Sequence, residues 1–333
     1  MKRDLGNVLV TGGAGFIGST LVRELLSSTP ARVVTLDALT YAGSLSNLRH
    51  LPAPERHTFV EGDIRDTELV IRLLREHEVT TLINVAAESH VDRSIAGPAA
   101  FLQTNILGTA SLLEAARAVW DVRADVRFHQ VSTDEVYGDL AADAPPSREG
   151  DPYRPSSPYA ASKAAADHLV HAWSRTWGLP ISISQCTNTF GPHQYPEKLI
   201  PVVVRACLEG ASIPVYGDGL QQRDWIHVED HCRALLHIVS RPSLTGSWHI
   251  SARHAVTNLS LVNQICSIMD GLRPQQAPHA KRITFVADRL GHDRRYALDA
   301  TALQTATGWR PQRAFAIRLK ETIRAMLPEE RSS

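Results

Sequence analysis

The chain has 333 residues, 43% of them hydrophobic, which is enough for one large α/β domain or two interleaved ones. Lysine and arginine total 35, as do aspartate and glutamate, so the basic excess typical of nucleic-acid-binding proteins is absent. No apolar run approaches the ~20 residues that span a bilayer, and the sequence begins directly with a strand pattern and no signal peptide, so we expect a cytoplasmic protein without membrane or nucleic-acid partners.

The first half of the chain alternates strand-like and helix-like patterns. Strands are predicted at Asn7–Thr11, Val33–Asp37, Phe59–Val60, Thr81–Ala87, Val126–Ser132 and Ile181–Gln185. Helices are predicted at Phe16–Ser27, Thr67–His77, Pro98–Val119 and Tyr159–Trp177. Repeated β-α units imply a Rossmann-type, doubly wound parallel sheet with helices on both faces.

The pattern changes after about Asn188, where Pro, Gly and aromatic residues become frequent. Such composition indicates irregular segments that carry ligand contacts. Ser247–Ser251 is one further strand candidate that could return to the sheet, and residues 139–158 are predicted to form a long loop before a helix. We predict a Rossmann domain of residues 1–188 with about 224–252, and a smaller mixed α/β lobe of about 189–223 with 253–329.

The four cysteines, at positions 186, 207, 232 and 266, lack the short spacing of a zinc-binding motif. A chain of this size does not need disulfides for stability. We therefore interpret them as reduced residues, mostly in the core, and predict no metal site.

A glycine-rich turn, TGGAGFIG, follows the first strand and begins the first helix. Gly13, Gly15 and Gly18 satisfy G-x-G-x-x-G, and Gly12 adds a flexible position. Glycine allows a tight turn, close approach of a pyrophosphate and close packing of the helix on its strand, while the helix N-terminus attracts the phosphates. The alternative is an ordinary strand-helix turn, so the glycine pattern alone is weak evidence for dinucleotide binding.

Asp37 ends the second strand, about twenty residues after the glycines. A carboxylate at this position accepts hydrogen bonds from an adenosine ribose and repels a 2′-phosphate. The combination predicts NAD rather than NADP. Asp63 and Ile64, at the end of the third strand, are candidate adenine contacts, although a plain turn is the alternative for this Asp.

Tyr159 and Lys163 lie four residues apart on one predicted helix. A nearby ammonium favours the phenolate, so we expect Lys163 to lower the pKa of Tyr159 and make it a usable base. The spacing alone also fits a surface Tyr beside a surface Lys. The fifth strand, however, ends at Ser132–Thr133, and ligands bind at the carboxyl ends of such strands.

With Thr133, Tyr159 and Lys163, the sequence resembles the extended short-chain dehydrogenases, and most closely the dTDP-glucose 4,6-dehydratases. The resemblance extends from about residue 11 to 299. It rests on TGGAGFIGS, AAESHVDRSI, QVSTDEVYGD, PSSPYAASKAAADH, GPHQYPEKLIP, YGDGLQQRDW and DRLGHDRRYALD. The pair Asp134–Glu135 is the most diagnostic part, because the related epimerases usually lack it.

The resemblance implies a reaction in which NAD is reduced and reoxidised within one turnover. Tyr159 takes the 4-hydroxyl proton of the glucose while carbon 4 is oxidised, Thr133 polarises the 4-oxygen, and Lys163 holds the nicotinamide ribose. The 4-ketone acidifies carbon 5, from which Glu135 removes a proton. Asp134 protonates the departing 6-hydroxyl, and hydride returns to carbon 6. Asp134 must therefore be protonated while Glu135 is ionised.

The same resemblance implies the ligand contacts. Ser89 and Asn188 would lie near the glucose, Lys198 and Leu199 near the diphosphate and sugar, and Arg223 and Arg294 would bind the diphosphate. Pro214, Val215 and Tyr216 would contact the base, and Asn258 and Tyr296 complete the substrate set. The implied NAD-binding residues are Gly12, Gly15, Phe16, Ile17, Gly18, Asp37, Leu39, Thr40, Asp63, Ile64, Ala86, Ala87, Ser89, Thr104, Tyr159, Lys163 and Thr189.

Two positions depart from the family pattern. Thr189 replaces a second Asn near the nicotinamide, and His249–Ala252 replaces Asn-Ile-Gly-Gly. His90 is interpreted as structural. The predicted substrate is dTDP-glucose, and the family implies a homodimer formed by the helices near 98–119 and 159–177. UDP-glucose dehydratase, nucleotide-sugar epimerase and a non-catalytic NAD-binding regulator are the alternatives.

Overall fold

The computed structural model describes residues 3–120 and 125–327. Twelve strands are present in these ranges: β1 (Asn7–Thr11), β2 (Arg32–Asp37), β3 (His57–Glu61), β4 (Val79–Asn84), β5 (Arg127–Thr133), β6 (Ile181–Cys186), β7 (Asn188–Phe190), β8 (Ile213–Tyr216), β9 (Gln222–His227), β10 (Gly246–Ile250), β11 (Ala255–Thr257) and β12 (Ile283–Val286).

The same ranges contain eleven α-helices: α1 (Phe16–Ser28), α2 (Thr67–Glu76), α3 (Val91–Ala96), α4 (Ala99–Phe101), α5 (Thr109–Trp120), α6 (Pro158–Trp177), α7 (Leu199–Glu209), α8 (Val228–Val239), α9 (Asn258–Leu272), α10 (Thr301–Thr307) and α11 (Phe315–Ala325). A π-helical stretch, Leu102–Gly108, joins α4 to α5. Within the described ranges, no helix is both long and apolar enough to cross a membrane.

Seven strands form one parallel sheet in the order β10-β6-β5-β4-β1-β2-β3. The strand order reverses at β1, which pairs with β2 on one side and β4 on the other. In open α/β sheets this reversal leaves a crevice at the carboxyl ends of the strands, where ligands bind. The predicted doubly wound fold is confirmed, and β10 returns to the sheet beside β6 as predicted.

Helices cover both faces of this sheet, and alternate residues of β1 supply the two cores. Val8 and Val10 pack in one core with residues of α1 and α8, including Leu25 and Leu235. Leu9 packs in the other core with residues of α2, α5 and α6. Because successive side chains of a strand point to opposite faces, an apolar run such as NVLVT suits a strand buried on both sides.

The smaller sheets lie in the last third of the chain. β9 pairs with β7 in parallel and with β11 in antiparallel orientation, and β8 pairs with β12 in parallel. A third apolar core joins residues of α7, α9 and α11. The mixed character predicted for this part is confirmed, and the Pro- and Gly-rich residues 191–198 and 217–221 are irregular, as expected. Burial stabilises α7 although its sequence, LIPVVVRACLE, is rich in β-branched residues that have modest helix propensity.

The predicted helix at Pro98–Val119 is not continuous. At the π-helical stretch, Asn105 donates to the Glu88 carbonyl at 3.0 Å and to Ser162 Oγ at 2.8 Å. A Cβ at Gly108 would approach Ile64 Cδ1 to 2.5 Å. These tertiary contacts fix an unusual helical turn, and such turns occur often near functional sites. The proposed division into two domains stays a prediction, and its end at 329 lies outside the described residues.

Candidate functional site

A cavity of about 540 Å³ opens at the carboxyl ends of the central strands. Its lining runs from the glycine-rich turn after β1, past Thr133 at the end of β5, to Tyr216 at the end of β8. The cavity therefore lies at the reversal point of the sheet and also contacts the smaller sheets.

The glycine-rich turn approaches neighbouring backbone closely. Gly12 has a φ of +67°, and a Cβ there would lie 2.7 Å from Ala86 Cα. A Cβ on Gly18 would lie 2.1 Å from the Gly12 carbonyl oxygen. Gly13, which the sequence pattern included, does not line the cavity and faces Thr35 instead. The glycines that line the cavity are Gly12, Gly15 and Gly18, and the uncapped N-terminus of α1 follows Gly15.

Asp37 lies where β2 ends, and its carboxylate lines the cavity. Its two oxygens accept hydrogen bonds from the backbone N–H groups of Ala14 and Leu39, each at 2.8 Å. Burial raises the pKa of Asp37, and the two backbone hydrogen bonds oppose this shift. The carboxylate is thus held in place by the glycine-rich turn itself.

Asp134 and Glu135 form the first half of a 3₁₀ turn that follows β5 and is capped by Thr133. Thr133 Oγ1 donates to Asp134 Oδ1 at 3.2 Å. Burial and then the charge of Glu135 raise the pKa of Asp134 well above its usual range. Burial also raises the pKa of Glu135, but Arg223, Lys198 and Arg289 lower it. The net shift is upward for both carboxyl groups but larger for Asp134, so the surroundings hold a proton more firmly on Asp134 than on Glu135.

Tyr159 and Lys163 lie on the first turns of α6, and both side chains are buried. Lys163 Nζ donates to the Val131 carbonyl oxygen at 2.7 Å. Burial lowers the pKa of Lys163 to about 8. Burial and then the charge of Glu135 raise the pKa of Tyr159, so the expectation of a lowered pKa was wrong. The hydrogen bond with Thr133 opposes this rise, whereas Asp134 and Asp167 add to it.

Three cationic side chains reach the cavity from separate segments. Arg223, on β9, donates to the Asp293 carbonyl at 2.8 Å and lies 4.2 Å from the centre of the Tyr296 ring. Lys198, just before α7, donates to the Ser89 carbonyl at 2.9 Å. Arg289, in the loop after β12, donates to Asp92 Oδ2 at 3.0 Å. Together they supply positive charge suited to a diphosphate.

All of the predicted catalytic, cofactor-binding and substrate-binding residues line this cavity except Leu39 and Arg294. Arg294 is 47% exposed, and its guanidinium is paired with Asp218 at 2.8 Å. Arg289 occupies the cavity instead. Arg289 is not distinguishable in the sequence, because DRLGHDRRY contains three arginines and only the fold decides which of them lines the cavity.

Several buried polar atoms in the cavity wall have no hydrogen-bond partner within the described residues. They are Asp134 Oδ2, Thr187 Oγ1, Gln194 Oε1, Glu197 Oε1, Trp225 Nε1 and His231 Nε2. Unpaired buried polar groups are rare in folded proteins because each costs about 1–3 kcal/mol. Their concentration here indicates that a polar ligand completes the site.

The Thr189 departure has a structural counterpart. Thr189 Oγ1 lies 3.0 Å from His231 Nδ1, and burial lowers the pKa of His231 to about 3. The neutral imidazole of His231 therefore lines the cavity next to Thr189. At the other departure, His249 Nε2 lies 2.7 Å from the Tyr137 hydroxyl, away from the cavity lining.

Comparison with known proteins agrees with this geometry. The GDP-mannose 4,6-dehydratase family model matches residues 9–325. dTDP-glucose 4,6-dehydratase 1 of Escherichia coli K12 is 46% identical, over 95% of this chain and 91% of that protein. The enzyme of the same name from Xanthomonas campestris strain B100 is 50% identical, over 92% and 89%. A crystal structure of dTDP-glucose 4,6-dehydratase from Streptomyces venezuelae, with NAD and TYD bound, has a TM-score of 0.88 and 44% identity, covering 96% of each chain.

Substitution of Gly18 by alanine tests the predicted dinucleotide site. The added Cβ would clash with the Gly12 carbonyl, so Gly18→Ala should weaken NAD binding at least about tenfold and destabilise the fold by about 1–3 kcal/mol. Calorimetric titration with NAD and thermal unfolding measure the two effects. Gly271→Ala, whose Cβ would meet nothing within 4 Å, is the matched control and should leave NAD affinity unchanged. Equal NAD affinity in both variants would contradict the assignment.

Proposed function

The chain belongs to the dTDP-glucose 4,6-dehydratase family, and we propose that it converts dTDP-glucose to dTDP-4-keto-6-deoxyglucose with NAD as cofactor. One observation carries the proposal: two adjacent carboxyl groups are held differently, because burial raises the pKa of Asp134 far above its ordinary value, whereas three cations oppose the smaller rise at Glu135. They lie beside Tyr159 and Lys163 in the lining of the same cavity. Removal of water between carbons 5 and 6 needs one acid and one base, which such a pair provides.

The residues present fit NAD. The glycines would accommodate the pyrophosphate, Asp37 the adenosine ribose, Asp63 and Ile64 the adenine, and Lys163 the nicotinamide ribose. The unpaired Nε2 of buried His231, next to Thr189, is a further polar atom available to the cofactor. NAD, when bound, would accept hydride from carbon 4, return it to carbon 6 and bring a positive charge into the cavity.

Tyr159 is the base of the oxidation step. Its phenolate oxygen takes the proton of the 4-hydroxyl, and the hydroxyl of Thr133, turned away from Asp134 Oδ1, would donate a hydrogen bond to the oxygen at carbon 4. A charged Lys163 stabilises the phenolate that must form. Because burial and Glu135 raise the pKa of Tyr159, the phenolate needs the positive charge of Lys163 on the same face of α6.

Elimination of water uses the carboxyl pair. The carboxylate of Glu135 removes the proton from carbon 5, which the adjacent ketone has acidified, and returns it to carbon 5 when carbon 6 is reduced. The carboxyl group of Asp134 gives its proton to the departing 6-hydroxyl, which leaves as water. The unpaired, buried Oδ2 of Asp134 supports this role, because a protonated oxygen there has no acceptor among the described residues.

The substrate's diphosphate would be held by Arg223, Lys198 and Arg289, which surround the catalytic carboxylate of Glu135. Ser89 and Asn188 would bind the glucose, Leu199 would line the sugar site, and Pro214–Tyr216 the base. Asn258 and Tyr296 line the same part of the cavity. Leu39 and Arg294 do not line the cavity, so its geometry does not support their predicted ligand contacts.

A homodimer and a cytoplasmic location also stay proposals, as does the division into an NAD-binding domain and a nucleotide-sugar-binding lobe. Leu102, Leu107 and Trp177 support the dimer, because these large apolar side chains are 46%, 59% and 50% exposed. They lie in the two helical segments that the family resemblance assigns to the interface. Apolar groups exposed in this way often mark contact surfaces.

Incubation of the protein with dTDP-glucose and UDP-glucose in separate reactions tests the function. We expect a 4-keto sugar from dTDP-glucose, detected by its ultraviolet absorbance in alkali, with a new methyl signal in the proton NMR spectrum. UDP-glucose should react more slowly. No product from either substrate, or an epimerised sugar without a methyl group, would overturn the proposal.

Replacement of Glu135 separates oxidation from elimination. Glu135→Gln keeps the shape of the side chain but removes the base, so NADH should form on the enzyme while the 4-keto-6-deoxy product falls at least about 100-fold. Rapid-mixing absorbance at the NADH band measures the first step. Loss of NADH formation as severe as the loss of product would assign Glu135 another role.

Two arginines of one loop test how the diphosphate is held. Arg289 lines the cavity and Arg294 does not, so Arg289→Gln should weaken dTDP binding about 10–100-fold through loss of charge-assisted hydrogen bonds. Arg294→Gln, the matched control, should change it less than about twofold because an exposed ion pair contributes little. Calorimetric titration with dTDP measures the affinity of each variant. Equal losses of affinity in the two variants would contradict the assignment of Arg289 to the diphosphate.

A further inference from the structure

A fully buried carboxylate lies one helical turn beyond Lys163. Asp167 has no exposed surface, although charged groups are rarely buried without a partner. Residues four apart on a helix share a face, so the carboxylate of Asp167 and the ammonium of Lys163 point to the same side of α6. The reaction scheme above gives Asp167 no role.

Three donors converge on one oxygen of this carboxylate. Asp167 Oδ2 accepts from Ser132 Oγ at 2.7 Å, from the Tyr153 hydroxyl at 3.0 Å and from Gln185 Nε2 at 3.3 Å. Asp167 Oδ1 is buried and has no hydrogen-bond partner within the described residues. Donors of this kind favour the ionised form, and a buried ionised carboxylate needs a cation nearby.

The end of β5 holds both members of the pair. Lys163 donates to the carbonyl of Val131, and the next residue, Ser132, donates to Asp167. Burial raises the pKa of Asp167, whereas Lys163 and the three hydrogen bonds lower it. Burial lowers the pKa of Lys163 to about 8, and Asp167 is the charge that opposes this shift.

We propose that Asp167 is a positioning residue for the dehydratase reaction: its buried carboxylate is the counter-ion that keeps Lys163 charged beside Tyr159. Its catalytic importance rests on the proposed function, but the electrostatic coupling between the two buried groups does not. Without the carboxylate, a desolvated Lys163 loses its proton near neutral pH, and the phenolate of Tyr159 loses its stabilising charge.

Other titratable groups surround the pair and contribute to its pH dependence. On α6 itself they are Tyr159, His168 and His171. From the neighbouring elements they are Tyr153 before α6 and Tyr137 after β5. Lys163 is the charge that lowers the pKa of Asp167, and Asp167 is the charge that raises the pKa of Lys163, so each is the principal counter-charge of the other.

The lysine content permits a direct test. The chain has only five lysines, Lys2, Lys163, Lys198, Lys281 and Lys320, so ¹³Cε-lysine labelling gives few NMR signals. Loss of one signal in Lys163→Arg assigns Lys163. In the wild-type protein the signal should titrate near pH 8. In Asp167→Asn its midpoint should fall by about 1–3 pH units, because an opposite charge nearby has been removed.

Asp230→Asn is the matched control, because Asp230 is also a buried helical aspartate but pairs with Arg233 on α8. It should leave the Lys163 midpoint unchanged. If Asp167→Asn does not fold, Asp167→Ser removes the charge while keeping an oxygen for the neighbouring donors, and should also lower the Lys163 midpoint. An unchanged midpoint in the folded variant would overturn the electrostatic coupling, whatever the substrate of the protein.

A double-mutant cycle tests the catalytic consequence. Asp167→Asn alone should lower kcat about 10–100-fold near pH 7.5 and move the alkaline limb of the pH profile down with the NMR midpoint. An arginine stays charged without a counter-ion, so adding Asp167→Asn to Lys163→Arg should cost little further activity. If the kcat losses of the two single variants multiply in the double variant, and the alkaline limb of the Asp167→Asn pH profile does not move, Asp167 has only a structural role.

Discussion

Burial of ionisable groups at the carboxyl end of β5 is the constraint on which the rest of this site depends. Asp134, Lys163 and Asp167 are all nearly inaccessible to water, and each would be neutral there if it had no partner. Their protonation states are therefore set by a few neighbouring charges and hydrogen bonds. Small changes in those partners would have large effects, because water cannot screen them.

This constraint explains how two adjacent carboxyl groups acquire opposite tasks. Asp134 is buried directly after β5, and both this burial and the adjacent charge of Glu135 favour its neutral form. Burial raises the pKa of Glu135 as well, but cations contributed by three distant segments oppose this rise and support its ionised form. The sheet places the pair, while the smaller sheets and their loops supply the cations. The different tasks of Asp134 and Glu135 thus depend on the large sheet and the smaller sheets together.

Local sequence determined much of the scaffold. Strand and helix patterns in the first half predicted the sheet to within a few residues, because apolar runs and glycine-rich turns encode their own geometry. The glycine-rich turn, Asp37 and the Tyr159–Lys163 spacing were recognisable for the same reason, since residues close in sequence form each of them. The family resemblance then supplied Asp134, Glu135 and most of the remaining lining residues.

Only the tertiary structure decided which groups meet across the chain. The sequence could not tell Arg289 from Arg294, since one turns toward the cavity and the other toward Asp218. It also could not show the interruption of the helix near Asn105, or the rise in the pKa of Tyr159. Those features arise from contacts between residues far apart in the sequence, whose burial and charge no local pattern contains. The reaction class was therefore readable from sequence, whereas the charge balance that drives it required the fold.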